Sequence, residues 1–189
     1  MLAMATYTAF LSHARIAAGS LAAVAERCKM LLDSDPGATP IIYDDSTGRP
    51  VDIDYRGTVH DVLARLPGSD PVTKRGPGRP KLGVVAREVT LLPRHWEWLA
   101  SQPGGASVAL RRLVEVASRD GAPADRVRQA REAVDRVMLA LAGDLPGYEE
   151  ASRAFHRREA ERFEALTQEW PEDVRDYVRA LASRAVGEG

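Results

Sequence analysis

Six lysines and arginines cluster between residues 71 and 94, where one acidic residue accompanies them, so this segment has a net charge of +5. The flanking segments, 1–70 and 95–189, each have a net charge of −3. A local positive block attracts phosphate groups even when the whole chain is close to neutral. The chemistry that these residue types predict is therefore electrostatic binding to a nucleic-acid backbone. The side chains that we expect to make the contacts are Lys74, Arg75, Arg79 and Lys81.

All four of these side chains lie in segment 67–83, which is rich in proline and glycine and is predicted to be a linker or an extended arm. Its core, Gly78-Arg79-Pro80-Lys81, resembles an AT-hook. That resemblance implies an arm that enters the minor groove, where A·T tracts enhance the negative potential. The alternative is a solvated interdomain linker.

The arm is followed by a predicted strand at residues 89–92, a helix that begins at Pro93, a break at residues 103–105 and a second helix. This order resembles a ribbon-helix-helix protein. The resemblance implies a homodimer in which strands from two chains pair and enter the major groove of duplex DNA. It places Arg87 and Thr90 near the ribbon face, and the backbone from Gly105 to Ser107 on a phosphate.

Two alternatives remain open for this region. One alternative concerns which side chains face outward from the strand. They are either Glu88 and Thr90, which are polar enough to read bases, or Arg87, Val89 and Leu91, which would bury better. The strand could also join an N-terminal sheet, with the two helices packing as an ordinary hairpin.

The N-terminal region, residues 1–66, is predicted to repeat strand-strand-helix twice. The strands are expected at 6–11, 15–18, 41–43 and 51–55. The helices follow Ser20 and Thr58, which are suitable N-cap residues. The predicted fold class is therefore α+β, with a small sheet-and-helix domain at 1–66, the basic segment at 67–83, a strand-helix-helix segment at 84–121 and a helical bundle at 122–189.

The apolar spacing in the last segment predicts three helices. The first carries Val127 to Leu141, the second Tyr148 to Leu166, and the third Val174 to Ala185.

Other chemistry finds little support in the sequence. The four histidines show no ligand spacing, and the chain carries no nucleophile-elbow, Walker or dinucleotide-binding motif. Cys28 falls on the apolar stripe of a helix and is expected to be buried. Asp44, Asp45, Asp52 and Asp54 fit turn and strand positions better than a cation site. We therefore expect a non-catalytic protein without cofactors. The absence of a leader and of a membrane-spanning stretch favours the cytoplasm.

Three longer strings extend a resemblance over nearly the whole chain: GRPKLGVVAREVTLLPRHWEWL, QPGGASVALRRLVE and AGDLPGYEEA. They resemble those of an uncharacterised bacterial family of unknown function, which implies one evolutionary unit but no activity. The functional hypothesis is thus a DNA-binding protein that acts as a transcriptional regulator. The alternative is a protein-interaction or structural module with a solvated basic linker.

Overall fold

A computed structural model of the chain describes residues 6–67, 85 and 87–187. These residues form an α+β protein, as predicted, with four strands and seven helices. In chain order the elements are β1 (Tyr7–Leu11), β2 (Ala14–Gly19), α1 (Leu21–Ser34), β3 (Ile41–Asp44), β4 (Pro50–Val51), α2 (Val59–Ala64), α3 (Pro93–Ala100), α4 (Gly105–Ala142), α5 (Tyr148–His156), α6 (Ala160–Leu166) and α7 (Glu172–Gly187).

The four strands form one antiparallel sheet with the order β2-β1-β3-β4. The first three strands lie where the sequence places them. The fourth is shorter than predicted, because it ends at Val51 rather than at Tyr55. The Asp54 carboxylate accepts hydrogen bonds from the backbone N–H and the guanidinium of Arg56. Such a side-chain-to-backbone turn competes with strand pairing and draws residues 52–56 away from the sheet.

Helices α1 and α2 begin at the predicted caps. Ser20 Oγ accepts from the N–H of Ala23 at 3.3 Å, and Thr58 forms a reciprocal capping box with Asp61. Cys28 is fully buried on α1, as predicted. Burial raises the pKa of its thiol, which keeps the sulfur in its protonated, weakly nucleophilic form.

The chain divides into two compact units. The larger comprises residues 1–71 and 124–189, and the smaller comprises residues 72–123. The sequence predicted a separate 1–66 domain and a separate 122–189 bundle, whereas Phe10 and Tyr43 of the sheet share one core cluster with α4, α5, α6 and α7. Periodicity identifies which face of a sheet is apolar, but it does not identify the element that covers that face.

Two helix boundaries in the C-terminal region also differ from the prediction. Helix α4 is continuous for 38 residues, with Pro123 inside it, although the sequence was divided at residue 121. An interior proline removes one backbone donor and crowds the carbonyl of residue i−4, but the residues on both sides include many good helix formers that continue the helix. The predicted second helix is instead two, α5 and α6, because the chain turns at Arg158 with a φ of 60°.

None of the helices in the described ranges is both long and apolar enough to cross a membrane.

Candidate nucleic-acid interface

Four of the predicted contact residues, Lys74, Arg75, Arg79 and Lys81, lie outside the described residues. Arg87 and Thr90 lie in segment 87–92, and both are exposed. The strand predicted at 89–92 is not present in the structure: residues 87–92 form no strand and pair with none of the N-terminal sheet within the described part of the chain. The alternative in which it joins that sheet therefore finds no support, and residues 87–90 are all exposed whereas Leu91 is half-buried.

The start of α3 agrees with the sequence. Leu92 has an extended backbone (φ −66°, ψ 151°), and Pro93 is the first helical residue. The N–H of His95 donates to the carbonyl of Leu92 at 2.9 Å. Proline suits this position because its ring favours helical φ and a first-turn N–H has no intrahelical acceptor.

A tight turn joins α3 to α4. Gly104 and Gly105 have φ values of 84° and 76°. A Cβ at Gly104 would also lie 3.1 Å from the Val108 side chain, so both space and conformation favour glycine there. The N–H of Gly105 already donates to the carbonyl of Gln102 at 2.9 Å. The predicted phosphate contact therefore falls to the N–H groups of Ala106 and Ser107, at the N-terminus of α4.

The smaller unit exposes much of its apolar surface. Among its described residues, only Leu99 and Ala109 are buried hydrophobic residues. Trp96, which stands three residues before the buried Leu99 at the spacing of a core position, is 42% exposed. The large hydrophobic residues that are exposed, here called the apolar surface, are Val85, Val89, Leu92, Trp96, Trp98, Val108, Leu113, Val114 and Val116. Exposed hydrophobic residues mark an interaction site where they form one contiguous patch.

The aspartates considered as a cation site have other partners. Asp44 Oδ1 accepts from the backbone N–H of Ser46 at 2.8 Å and from its hydroxyl at 2.6 Å. The Arg56 guanidinium beside Asp54 holds the pKa of that carboxyl well below its usual range. Within the described ranges, no three histidine, cysteine, aspartate or glutamate side chains are grouped so that they could hold a metal ion.

The exposure of Trp98 on α3 and of Val116 on α4 was not predicted, since helical periodicity alone does not show how few elements pack against a helix. A pocket beside Arg158 in the larger unit was not predicted either. No sequence signal marked that pocket, because it depends on the unpredicted turn between α5 and α6.

Together these features define an α+β protein whose smaller unit presents an unpaired segment at residues 87–92 and two helices joined by a glycine turn. The chain belongs to a bacterial family described as an uncharacterized protein conserved in bacteria (DUF2239), whose model matches residues 6–182. This confirms the family resemblance of the sequence. No curated protein and no solved structure matches the chain. The family description names no activity. The charge distribution and the exposed residues of the chain are therefore the basis for a functional proposal.

Proposed function

We propose that the chain is a non-catalytic, homodimeric DNA-binding protein of the cytoplasm that acts as a transcriptional regulator. The observation that carries this proposal is the apolar surface of the smaller unit, which follows directly after the basic segment in the sequence. The apolar surface supports self-association, and the basic segment supports contact with phosphates.

The small number of buried hydrophobic residues in the smaller unit favours a dimer. A helical pair with two buried hydrophobic residues among its described positions has little core of its own. Units of this size bury a smaller fraction of their surface than larger domains do and are only marginally stable alone. A second copy would cover Trp96, Val114 and their neighbours, and each large side chain removed from water would contribute about 1.5–3 kcal/mol. Segment 87–92 could then pair with its counterpart in the other chain.

The positive charge of residues 71–94 favours DNA as the ligand. The block of +5 between acidic flanks directs a polyanion to one part of the chain. Arg87 and Arg94 are exposed at the described end of that block. In this proposal Arg75, Arg79 and Lys81 enter the minor groove, Arg87 and Thr90 lie at the ribbon face, and Ser107 helps to hold a phosphate.

A second candidate is a protein-interaction module, which the same apolar surface favours. In that case a different protein, rather than a second copy, would cover Trp96 and Trp98, and the basic segment would remain in solvent. The two proposals differ in whether the purified chain binds DNA.

The test is a fluorescence-anisotropy titration of A·T-rich and G·C-rich duplexes with the full chain. We expect binding to both at low salt, with tighter binding to the A·T-rich duplex. Absence of binding to either duplex at low salt would reject the DNA-binding proposal and favour the protein-interaction module.

A further inference from the structure

The larger unit contains a pocket of about 360 Å³ between α5, α6 and α7. Its buried lining comes from Ala154, Phe155, Phe163 and Ala182. The exposed lining residues include Arg158 and form its opening. Small-molecule sites in proteins have volumes of about 300–1,000 Å³ and mostly apolar walls. In size and lining, this pocket is therefore suited to a small organic molecule.

The deep wall offers rings and methyl groups rather than hydrogen-bonding groups. The Phe155 and Phe163 ring centroids lie 5.9 Å apart. Helix α5 ends in a Schellman motif, in which the carbonyls of Ala154 and Phe155 accept from the N–H groups of Glu159 and Arg158 at 2.9 and 3.0 Å. Because these carbonyls are already bonded, the wall favours the apolar body of a ligand.

The polar groups at the pocket leave an excess of positive charge. The Glu159 carboxylate is paired with Arg162 at 3.2 Å. Among the described residues, the acceptors of Arg179 are neutral oxygens, namely Thr167 Oγ1 at 2.9 Å, Gln168 Oε1 at 3.2 Å and the carbonyl of Glu164.

Arg158 has no carboxylate partner among the described residues, and neither has the Glu164 side chain. Two guanidinium charges therefore face one carboxylate without compensation. This imbalance favours an anionic ligand over a cationic one.

Arg158 also occupies a position that suits glycine. Its φ of 60° lies in the left-handed region, which costs a residue with a side chain about 1–2 kcal/mol. Strained backbone positions of this kind tend to cluster at functional sites. Here the residue with positive φ carries a cationic side chain that lines the opening of an apolar pocket.

From these observations we propose that the pocket binds a small monocarboxylate with an aromatic or short alkyl body. The apolar body lies on Phe155 and Phe163, and the carboxylate pairs with Arg158, with Arg179 adding a second positive charge. This site belongs to the larger unit, and the proposal does not depend on DNA binding.

The test is isothermal titration of the full chain with 4-phenylbutyrate and with its uncharged analogue 4-phenylbutan-1-ol. Both probes carry the same apolar body, so their difference isolates the carboxylate. We expect the acid to bind about three- to fivefold more tightly, as for an ion pair at an exposed position. The variant Arg158→Gln should remove that difference, while the control Arg157→Gln, at an exposed arginine that does not line the pocket, should retain it.

A second pair of variants tests the position of the site. Ser183→Trp fills the pocket from an exposed position on α7, and it should abolish binding of both probes. Arg184→Trp, at the next residue and outside the lining, should bind both as wild type does. Circular dichroism verifies that each variant is folded. Absence of acid binding at millimolar concentration would overturn the proposal, as would equal binding of acid and alcohol or equal effects of Arg158→Gln and Arg157→Gln.

Discussion

The hydroxyl of Tyr177 on α7 donates a 2.7 Å hydrogen bond to Oδ1 of Asp45, in the turn that follows β3. Tyr177 is buried, and its ring lies 5.2 Å from that of Phe10 on β1, centroid to centroid. The backbone N–H of Asp45 donates to the carbonyl of Thr6 at 3.0 Å. One tyrosine thus connects the sheet with the C-terminal helices of the larger unit.

We expect Tyr177→Phe to lower the free energy of unfolding by about 1–2 kcal/mol, because the half-buried Asp45 carboxylate loses its donor while the ring packing is retained. Urea denaturation followed by circular dichroism measures this. Tyr148→Phe is the matched control, since Tyr148 is a half-buried helical tyrosine whose hydroxyl has no hydrogen-bond partner in the described structure. Equal losses in both variants would show that the Asp45 bond contributes nothing.

The same tyrosine predicts a loss of stability in alkali. Burial, and then the Asp45 carboxylate, raise the pKa of Tyr177 above its ordinary value. The folded state therefore retains the proton while the unfolded chain releases it near pH 10. This stabilisation is fully present below about pH 10 and is lost as the pH rises further.

Between pH 8 and pH 11, wild type should lose about 1.4 kcal/mol more than Tyr177→Phe does. Urea midpoints of both proteins at the two pH values measure the difference. The half-buried Tyr55, whose pKa is also raised, contributes equally to both proteins. A parallel decline of the two proteins would contradict this assignment.

The continuity of α4 gives a third prediction. In a continuous helix, Pro123→Ala restores an N–H that can donate to the carbonyl of Arg119, and the chain should become more stable by about 1–3 kcal/mol. If the helix instead broke near residue 121, as the sequence suggested, alanine would bring no such gain. Pro93→Ala is the control: at the first residue of α3 the added N–H has no helical acceptor, so little change is expected. Urea denaturation distinguishes these outcomes.

The dimer gives a fourth prediction, for which α4 supplies a matched pair. Val114 in the smaller unit and Leu139 in the larger unit are both 64% exposed on this helix. In the proposed dimer a second copy covers Val114 but not Leu139. Val114→Asp should therefore produce monomers at tens of micromolar, because a buried unpaired charge is costly. Leu139→Asp should remain a dimer.

Multi-angle light scattering measures the mass of each variant. A monomeric wild type would reject the homodimer, and with it the ribbon-helix-helix interpretation. Equal behaviour of the two variants would show that the dimer uses another surface.

Much of the fold could be predicted from the sequence where local chemistry decides the structure. Ser20 and Thr58 cap helices, and Pro93 begins α3, because each side chain acts on a backbone group within a few residues. The shared core of Phe10 and Tyr177 could not be predicted, since it joins residues far apart in the chain and periodicity carries no information about partners.

The candidate interface shows the same division. Charge placement and glycine positions could be read directly from residues 71–105. The exposure of Trp96 could not, because its helical spacing is that of a core residue, and only the number of neighbouring elements decides whether a core exists. The turn at Arg158 could not be predicted from the sequence either, since arginine rarely adopts a positive φ.

The salt dependence of DNA affinity tests the central proposal most directly. If about five phosphates are neutralised, log affinity should fall with log salt at a slope of about −4 to −5. Arg79→Ala combined with Lys81→Ala should make that slope shallower, to about −2 to −3, and remove the preference for A·T-rich duplexes. The control combines Arg27→Ala with Arg49→Ala, which removes the same charge from exposed positions in the larger unit and should leave the slope unchanged. An unchanged slope after the first double substitution, or equal reductions in both, would contradict the proposed arm.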